Sequence, residues 1–268
     1  MSSRFLVTFG APVIESSKTS ISSVTGSHSD SGMILRITLD GPNNGNALSA
    51  DVVEKVIAAL SDDQISDASL LVIRATGKNF CTGFDLSGLE VQSDADLLLR
   101  FVRIEALLER VSTLPCFTMV FVQGRAYGAG ADLVAACDIR VATDDAIFRF
   151  PGWRFGIGLG TRRLVNRVGG AAAQELLVTT NSIDAQTAKQ IGLVTKIHAT
   201  EDWNNLERQT ALSLDRLSRR AIDDLTESTR GNTGHADADL GRLVRTASQP
   251  GLMNRIRNFL EVESLVMR

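Results

Sequence analysis

A single carboxylate, Asp132, directly follows a turn of small residues in the stretch GRAYGAGADLVAACD. An apolar run precedes the turn and an alanine-rich run follows it, which predicts a buried strand, a tight turn and a helix that carries Asp132. A helix N-terminus leaves backbone N–H groups without partners, and small residues let a ligand oxygen approach them. A carboxylate beside such donors is a candidate for general acid–base chemistry. Composition alone favours a simpler interpretation, tight packing of the strand against the helix.

A second segment, SLLVIRATGKNFCTGFDL, has the same form, with Thr82, Gly83 and Asp85 where the strand pattern breaks. Two such turns lying side by side could aim two N–H groups at one oxygen atom, which is the arrangement of an oxyanion hole. Asp85 could act at such a site, but we expect it to cap the helix that follows.

Strand and helix patterns alternate along most of the chain. MILRITLD is typical of a strand, Ser49 is placed to cap a helix, and SLLVIRAT, CFTMVFVQG and DIRVAT are typical of buried strands. A further helix is predicted from about Asp94 to Val111. This order predicts an α/β fold built from stacked ββα-like turns, with amphipathic helices only after about residue 199. The serine-rich segment 15–32 has the composition of a loop or a hairpin.

Composition and charge narrow the class of function. With 44% hydrophobic and 22% charged residues, the chain resembles a globular protein, and a net charge of −3 offers no basic surface for nucleic acid. The three cysteines show no metal-ligand spacing, which favours a reducing compartment, and no metal site is expected. We find no signal-peptide core and no run of about 20 apolar residues, so we expect a cytoplasmic protein without a membrane partner.

Four segments in order resemble the enoyl-CoA hydratase/isomerase (crotonase) superfamily. They are NGNALSADVVEKV, GKNFCTGFDL, GRAYGAGADLVAACDIRVATDDAIFRFP and RLVNRVGGAAAQELLVTTNSIDAQTAKQIGLVTKI, and they span roughly residues 32 to 200. The resemblance implies a crotonase-like spiral of ββα turns over residues 1–199 and a helical oligomerisation region over 200–268. It also implies a homotrimer or a dimer of trimers and a role in acyl-CoA or fatty-acid metabolism.

The resemblance further implies a coenzyme A thioester as the ligand, with coenzyme A present as part of the substrate and no permanently bound cofactor. By motif alignment the oxyanion donors are the backbone N–H groups of Thr82 and Ala129, and Asp132 takes the place of the first catalytic glutamate of the hydratases. The residues expected to bind the substrate or its coenzyme A are Phe80, Thr82, Gly83, Phe84, Asp85, Gly128, Ala129, Gly152 and Trp153.

The sequence departs from the hydratase pattern at the second acid. Hydratases carry Pro-Glu after the following strand, whereas this chain has Gly152 in the sequence FPGW, and the loop behind it is about three residues shorter. The leading hypothesis is therefore a single-acid enzyme that isomerises, decarboxylates, or forms or cleaves a carbon–carbon bond. Hydration is the alternative, and a catalytically inactive CoA-binding or scaffold protein is a further one. The glycine-rich loop GIGLG, Gly156–Gly160, is expected to form a tight turn under the acyl pocket.

Overall fold

A computed structural model describes residues 20–29, 32–230 and 235–266. In this part of the chain the strands are β1 Ser20–Ser29, β2 Gly32–Asp40, β3 Ala68–Ala75, β4 Phe117–Val122, β5 Arg125–Tyr127, β6 Ile139–Ala142, β7 Ile147–Arg149, β8 Ile183–Asp184 and β9 Lys196–Ile197. The helices are α1 Ala50–Ala59, α2 Asp62–Ile65, α3 Asp94–Thr113, α4 Ala129–Ala136, α5 Thr161–Thr179, α6 Ala185–Gln190, α7 Trp203–Leu214, α8 Arg219–Thr229, α9 Ala236–Ala247 and α10 Leu252–Val266.

The strands form two sheets that the chain visits in turn. The larger sheet has the order β1-β2-β3-β4-β6-β9, and the smaller one has the order β5-β7-β8. In one repeat, β4 lies in the large sheet, β5 lies in the small sheet and helix α4 follows. In the next repeat, β6 lies in the large sheet, β7 lies in the small sheet and helix α5 follows. Each repeat is a ββα turn, so the predicted α/β spiral is confirmed.

The predicted elements are found close to their expected positions. The strand predicted in MILRITLD is β2, and the strands predicted in SLLVIRAT, CFTMVFVQG and DIRVAT are β3, β4 and β6. The Ser49 side chain caps α1 by accepting a hydrogen bond from the Val52 N–H. In the serine-rich segment, residues 20–29 form β1, which pairs antiparallel with β2, in agreement with the hairpin interpretation.

The large sheet is covered on both faces, as is usual for parallel strands. Leu71 and Ile73 of β3 belong to the main core with helices α1, α3, α4 and α5. Leu70 and Val72, which point to the opposite face, pack in a second core under α7 and α8. After β9 the described chain is entirely helical, and the division into two domains near residue 199 stays a prediction. Among the described residues, no helix combines the length and the apolar character that crossing a membrane requires.

Candidate active site

The N-terminus of α4 forms one wall of the site. Gly128 precedes the helix with φ +50° and ψ −124°, a conformation that L side chains rarely adopt. Its N–H donates to the Arg149 carbonyl oxygen at 2.9 Å, which ties the turn to β7. Ala129 is the first residue of α4, and no acceptor in the described part of the chain takes its N–H. This amide is therefore free to donate to a ligand, and its role as an oxyanion donor stays a prediction.

The second turn packs against the first, but the Thr82 amide is already engaged. The Thr82 N–H donates to the Gly45 carbonyl oxygen at 2.9 Å, and the Gly83 N–H lies 3.4 Å from the Cys81 Sγ. The Thr82 hydroxyl lies 3.3 Å from the Asn44 carbonyl oxygen. The predicted use of Thr82 as an oxyanion donor is thus not supported, because its amide is already engaged by a neighbouring loop.

The Phe84 amide, two residues further along this turn, differs from the Thr82 amide because it is turned away from the neighbouring loop. Phe84 forms a parallel bridge with Leu48, in which the Leu48 N–H donates to the Gly83 oxygen at 2.7 Å and the Asp85 N–H donates to the Leu48 oxygen at 3.3 Å. In such a bridge the polar groups of the central residue point away from the partner strand. The Phe84 N–H consequently points away from Leu48 and has no acceptor among the described residues.

Gly83 lets the two turns approach each other. It has φ +98°, and a Cβ atom at this position would lie 2.6 Å from the Tyr127 oxygen and 3.5 Å from the Ala129 nitrogen. Only a glycine tolerates both the backbone conformation and the close contact. The turn that carries the Phe84 amide therefore packs directly on the turn that carries the Ala129 amide.

Asp132 lies one turn into α4, with only 7% of its surface exposed. Helical side chains lean toward the N-terminus of their helix, so the Asp132 carboxyl group leans toward the end that carries the Ala129 N–H. It packs against Gly160, the residue before α5: a Cβ atom on Gly160 would lie 2.3 Å from Asp132 Oδ1. No hydrogen bond to this carboxyl group is found from the described residues. The acid is therefore buried without a fixed partner.

The electrostatic surroundings favour the protonated form of Asp132. Burial raises its pKa well above the ordinary value of 3.8, the negative charge of Glu105 raises it further, and Arg163 lowers it. Glu105 and Arg163 are themselves buried and paired at 2.7 Å, and Arg163 also contacts Glu109 at 2.6 Å. A carboxyl group with a raised pKa is suited to taking and returning a proton near neutral pH.

Substitution of Gly160 by alanine is expected to displace the Asp132 carboxyl group. The new methyl group would overlap Oδ1, and φ at this residue is +61°. A displacement of about 1 Å can lower turnover up to about 10²-fold. The measurement is the rate of proton exchange on an acyl-CoA thioester, the ligand that the sequence resemblance implies. Gly170→Ala is the matched control, because a Cβ atom there meets nothing within 4 Å. Equal rates for the two variants would contradict this role of Gly160.

Gly152 is the first residue of a short 3-10 turn whose two ends are hydrogen-bonded to each other. The Ile157 N–H donates to the Gly152 carbonyl oxygen at 2.9 Å, and a Cβ atom on Gly152 would lie 2.9 Å from the Ile157 oxygen. That separation is shorter than real Cβ contacts, so the backbone would have to shift to accept any side chain. The position of the second hydratase acid is thus closed sterically as well as chemically.

Helices α9 and α10 hold the loop that brings Gly160 to Asp132. The Gly158 N–H donates to Thr246 Oγ1 of α9 at 3.1 Å, and Arg255 Nε of α10 donates to the Phe155 oxygen at 3.1 Å. The Trp153 ring also packs against Gly158, where a Cβ atom would lie 3.0 Å from the ring. The C-terminal helices therefore help to shape the site.

The remaining predicted residues differ in burial and in their contacts. Phe80 is fully buried in the main core, and half-exposed Trp153 lines a groove along α5. Asp85 does not cap a helix, which corrects that expectation: its carboxylate accepts hydrogen bonds from the Ser87 N–H and hydroxyl at 3.0 and 2.9 Å. The cap of α3 is Ser93, because the chain makes a loop and a short 3-10 turn after Asp85 before α3 begins.

Comparison with known proteins agrees with this architecture. Residues 29–242 match the sequence model described as "Enoyl-CoA hydratase/isomerase". The chain belongs to the enoyl-CoA hydratase/isomerase family. It is 32% identical over 177 residues to "Probable enoyl-CoA hydratase echA6" of Mycobacterium leprae, covering 63% of this chain and 69% of that protein.

Two further relatives place the chain within this family. It is 30% identical to the peroxisomal "Delta(3,5)-Delta(2,4)-dienoyl-CoA isomerase" of Arabidopsis thaliana, covering 63% of this chain and 66% of that protein. A crystal structure of a proposed enoyl-CoA hydratase/isomerase from Bordetella parapertussis superposes with a TM-score of 0.83 at 40% identity, covering 88% of this chain and 98% of that one. The chain is thus an enzyme of the enoyl-CoA hydratase/isomerase family. Trimeric assembly and a cytoplasmic location stay predictions.

Three features of this family member were not predicted from the sequence. The proposed donor, the Phe84 amide, lies in the predicted turn but two residues after Thr82, the predicted donor. Gly160 lies in a glycine-rich loop that was expected to turn tightly, which is the only sequence signal for its contact with Asp132. The pair Glu105 and Arg163 left no signal, because helical patterning does not show which charged residues a fold will bury.

Proposed function

We propose that the protein binds an acyl-CoA thioester, stabilises its enolate with the N–H groups of Phe84 and Ala129, and uses Asp132 to move a proton between carbons of the acyl chain. The observation that carries this proposal is that two backbone amides, which have no acceptor among the described residues, lie in touching turns beside a buried acid. The best-supported reaction is a shift of a carbon–carbon double bond.

The two amides suit a thioester carbonyl oxygen. Removal of a proton from the carbon next to this carbonyl moves negative charge onto the oxygen, and fixed N–H donors stabilise that charge without reorganising. The Ala129 N–H also lies at the positive end of the α4 dipole. Both donors belong to the backbone, so their placement depends on the turns and not on side-chain rotamers.

Asp132 suits a reaction in which one group both accepts and returns a proton. A double-bond shift removes a proton from one carbon and adds a proton to another, and it consumes no water. Hydration requires a second group to hold and activate water, and the structure closes position 152 to such a side chain. The Arabidopsis relative bears the name of an isomerase, which agrees with this choice.

The test uses a panel of 2-enoyl, 3-enoyl, saturated and malonyl-type acyl-CoA thioesters with the purified protein. We expect calorimetric titration to detect binding, 3-enoyl thioesters to be converted to 2-enoyl thioesters, and saturated thioesters to exchange α-protons in heavy water. Absence of binding at millimolar concentration would overturn the proposal. Binding without exchange or turnover would instead support the inactive CoA-binding alternative, whereas turnover of only malonyl-type thioesters would identify a decarboxylase.

A further inference from the structure

Arg100 of α3 makes three contacts with the segment that follows Gly83. Its Nη2 donates to the Asp85 carbonyl oxygen at 2.6 Å, and its Nη1 donates to the Gln92 Oε1 at 2.9 Å. Its guanidinium carbon lies 3.9 Å from the centre of the Phe84 ring. Gln92 in turn lies 3.2 Å from the Gly88 carbonyl oxygen, so Arg100 and Gln92 together hold this loop against α3.

The Phe84 ring is held between two planar groups. Phe101, the next residue of α3, stacks on it with a centroid distance of 4.4 Å and an angle of 18° between the rings. Two planar groups at these separations do not fit on one face of a ring, so Arg100 and Phe101 occupy opposite faces. The ring therefore has little freedom to turn, and rotation of the Phe84 backbone would break the stack.

The contacts of Leu48 and Arg100 hold the backbone around the Phe84 amide. Leu48 accepts from and donates to the peptides that flank Phe84, and Arg100 holds the Asp85 carbonyl one residue later. We propose that Arg100 is a positioning residue that fixes the direction of the Phe84 N–H toward the thioester oxygen, an inference that rests on the function proposed above. It differs from a catalytic residue because its groups contact protein atoms and not the reacting atoms.

The environment of Arg100 suits this role better than that of a surface charge. The side chain is half-buried, and this burial lowers the pKa of its guanidinium. Arginine supplies a planar face for the Phe84 ring and a fork of donors for two acceptors, whereas lysine supplies neither the plane nor the fork. Replacement by lysine should therefore preserve the charge and lose most of the positioning.

The experiment compares Arg100→Met and Arg100→Lys with the unaltered protein. The main readout is the infrared carbonyl band of a bound thioester labelled with carbon-13 at C1, because hydrogen bonds to the oxygen lower its frequency. We expect a lowered and narrow band in the unaltered protein, a higher and broader band in Arg100→Met, and an intermediate band in Arg100→Lys. The α-proton exchange rate at saturation should fall up to about 10²-fold in Arg100→Met, with a much smaller change in thioester Kd.

Arg103→Met is the matched control. Arg103 lies one turn further along α3 and forms an exposed pair with Glu54, with both contacts at 2.6 Å. Its replacement should leave the band and the exchange rate unchanged. If Arg100→Met does not fold, as judged by circular dichroism, Arg100→Lys decides the question.

The outcomes separate the two proposals. A bound thioester whose band is not lowered in the unaltered protein would overturn the proposed oxyanion site itself. If the band is lowered in the unaltered protein and is equally low and narrow in the Arg100 variants, and the α-proton exchange rate is also unchanged, only the positioning role of Arg100 would be overturned. A weaker Kd with an unchanged band and saturating rate would assign Arg100 to ligand binding and also overturn its positioning role.

Discussion

Replacement of Asp132 by asparagine is expected to lower the rate of proton transfer about 10²- to 10⁴-fold, the usual contribution of a general acid–base group. The amide keeps the shape of the carboxyl group but loses the titratable proton. Because both oxyanion donors are backbone amides, thioester binding and the carbonyl band should persist. The measurement is α-proton exchange and double-bond isomerisation by the variant and the unaltered protein at saturating thioester.

Asp62→Asn is the control for this substitution. Asp62 has a side chain that is 92% exposed and pairs with Arg110 on the surface, so the same chemical change there should leave turnover intact. An Asp132→Asn protein with unchanged turnover would remove Asp132 from the mechanism.

The same substitution is expected to raise stability. Below pH 3.8, the ordinary pKa of an aspartate, Asp132 is protonated in both the folded and the unfolded chain. As the pH rises through 3.8, the unfolded chain ionises first while the folded chain retains the proton at its raised pKa. The free energy of unfolding then falls with pH until the folded carboxyl group ionises too. Asparagine does not suffer this loss, so denaturant unfolding should show the variant gaining stability relative to the unaltered protein above about pH 4.

Hydration of crotonyl-CoA is expected to be slow, below the roughly 10 per second of an ordinary enzyme. Asp132 is the one acid that the described residues place in the proposed site for proton transfer, and Gly152 supplies no base that could activate water. Enolate formation needs only the two backbone donors and one acid, so α-proton exchange on a saturated thioester should still proceed. Both reactions are measured on one preparation. Hydration at or above that rate would show that the assignment of a single acid is wrong.

Introducing a glutamate at position 152 is not expected to create a hydratase. The Cβ atom would lie 2.9 Å from the Ile157 oxygen, so the turn that carries Gly152 would have to open. The opened loop would also disturb the segment that leads to Gly160. We expect Gly152→Glu to show lower thermal stability and slower α-proton exchange, with no gain in crotonyl-CoA hydration.

Gly170→Glu is the matched control for this variant. It introduces the same side chain on α5, where a Cβ atom meets nothing within 4 Å, and it should leave stability and exchange nearly unchanged. A gain of hydration in Gly152→Glu alone would mean that the loop adapts and that the missing carboxylate is the only barrier to water addition.

The two turns of the candidate site and the helix that carries Asp132 could be predicted from sequence. Strand-to-turn-to-helix patterns depend on neighbouring residues, so the turns around Gly83 and Gly128 and the helix that carries Asp132 are visible in the chain itself. The sequence could not show which amide of the Gly83 turn has no acceptor. Thr82 and Phe84 lie in the same turn, and the backbone N–H of either residue type can donate a hydrogen bond to a ligand. Their difference arises from Gly45 and Leu48, which lie more than thirty residues earlier in the chain.

The sequence by itself determined the α/β order of elements, the small residues that let the turns approach each other, and the absence of an acid at position 152. These follow from local periodicity and from residue identity. The tertiary structure decided which amide faces the site, that Asp132 is buried against Gly160 beside the Glu105–Arg163 pair, and that the loop at Gly152 has no room for a side chain. The physical reason is that hydrogen-bond partners, desolvation and free space depend on segments distant in the chain, which only folding brings together.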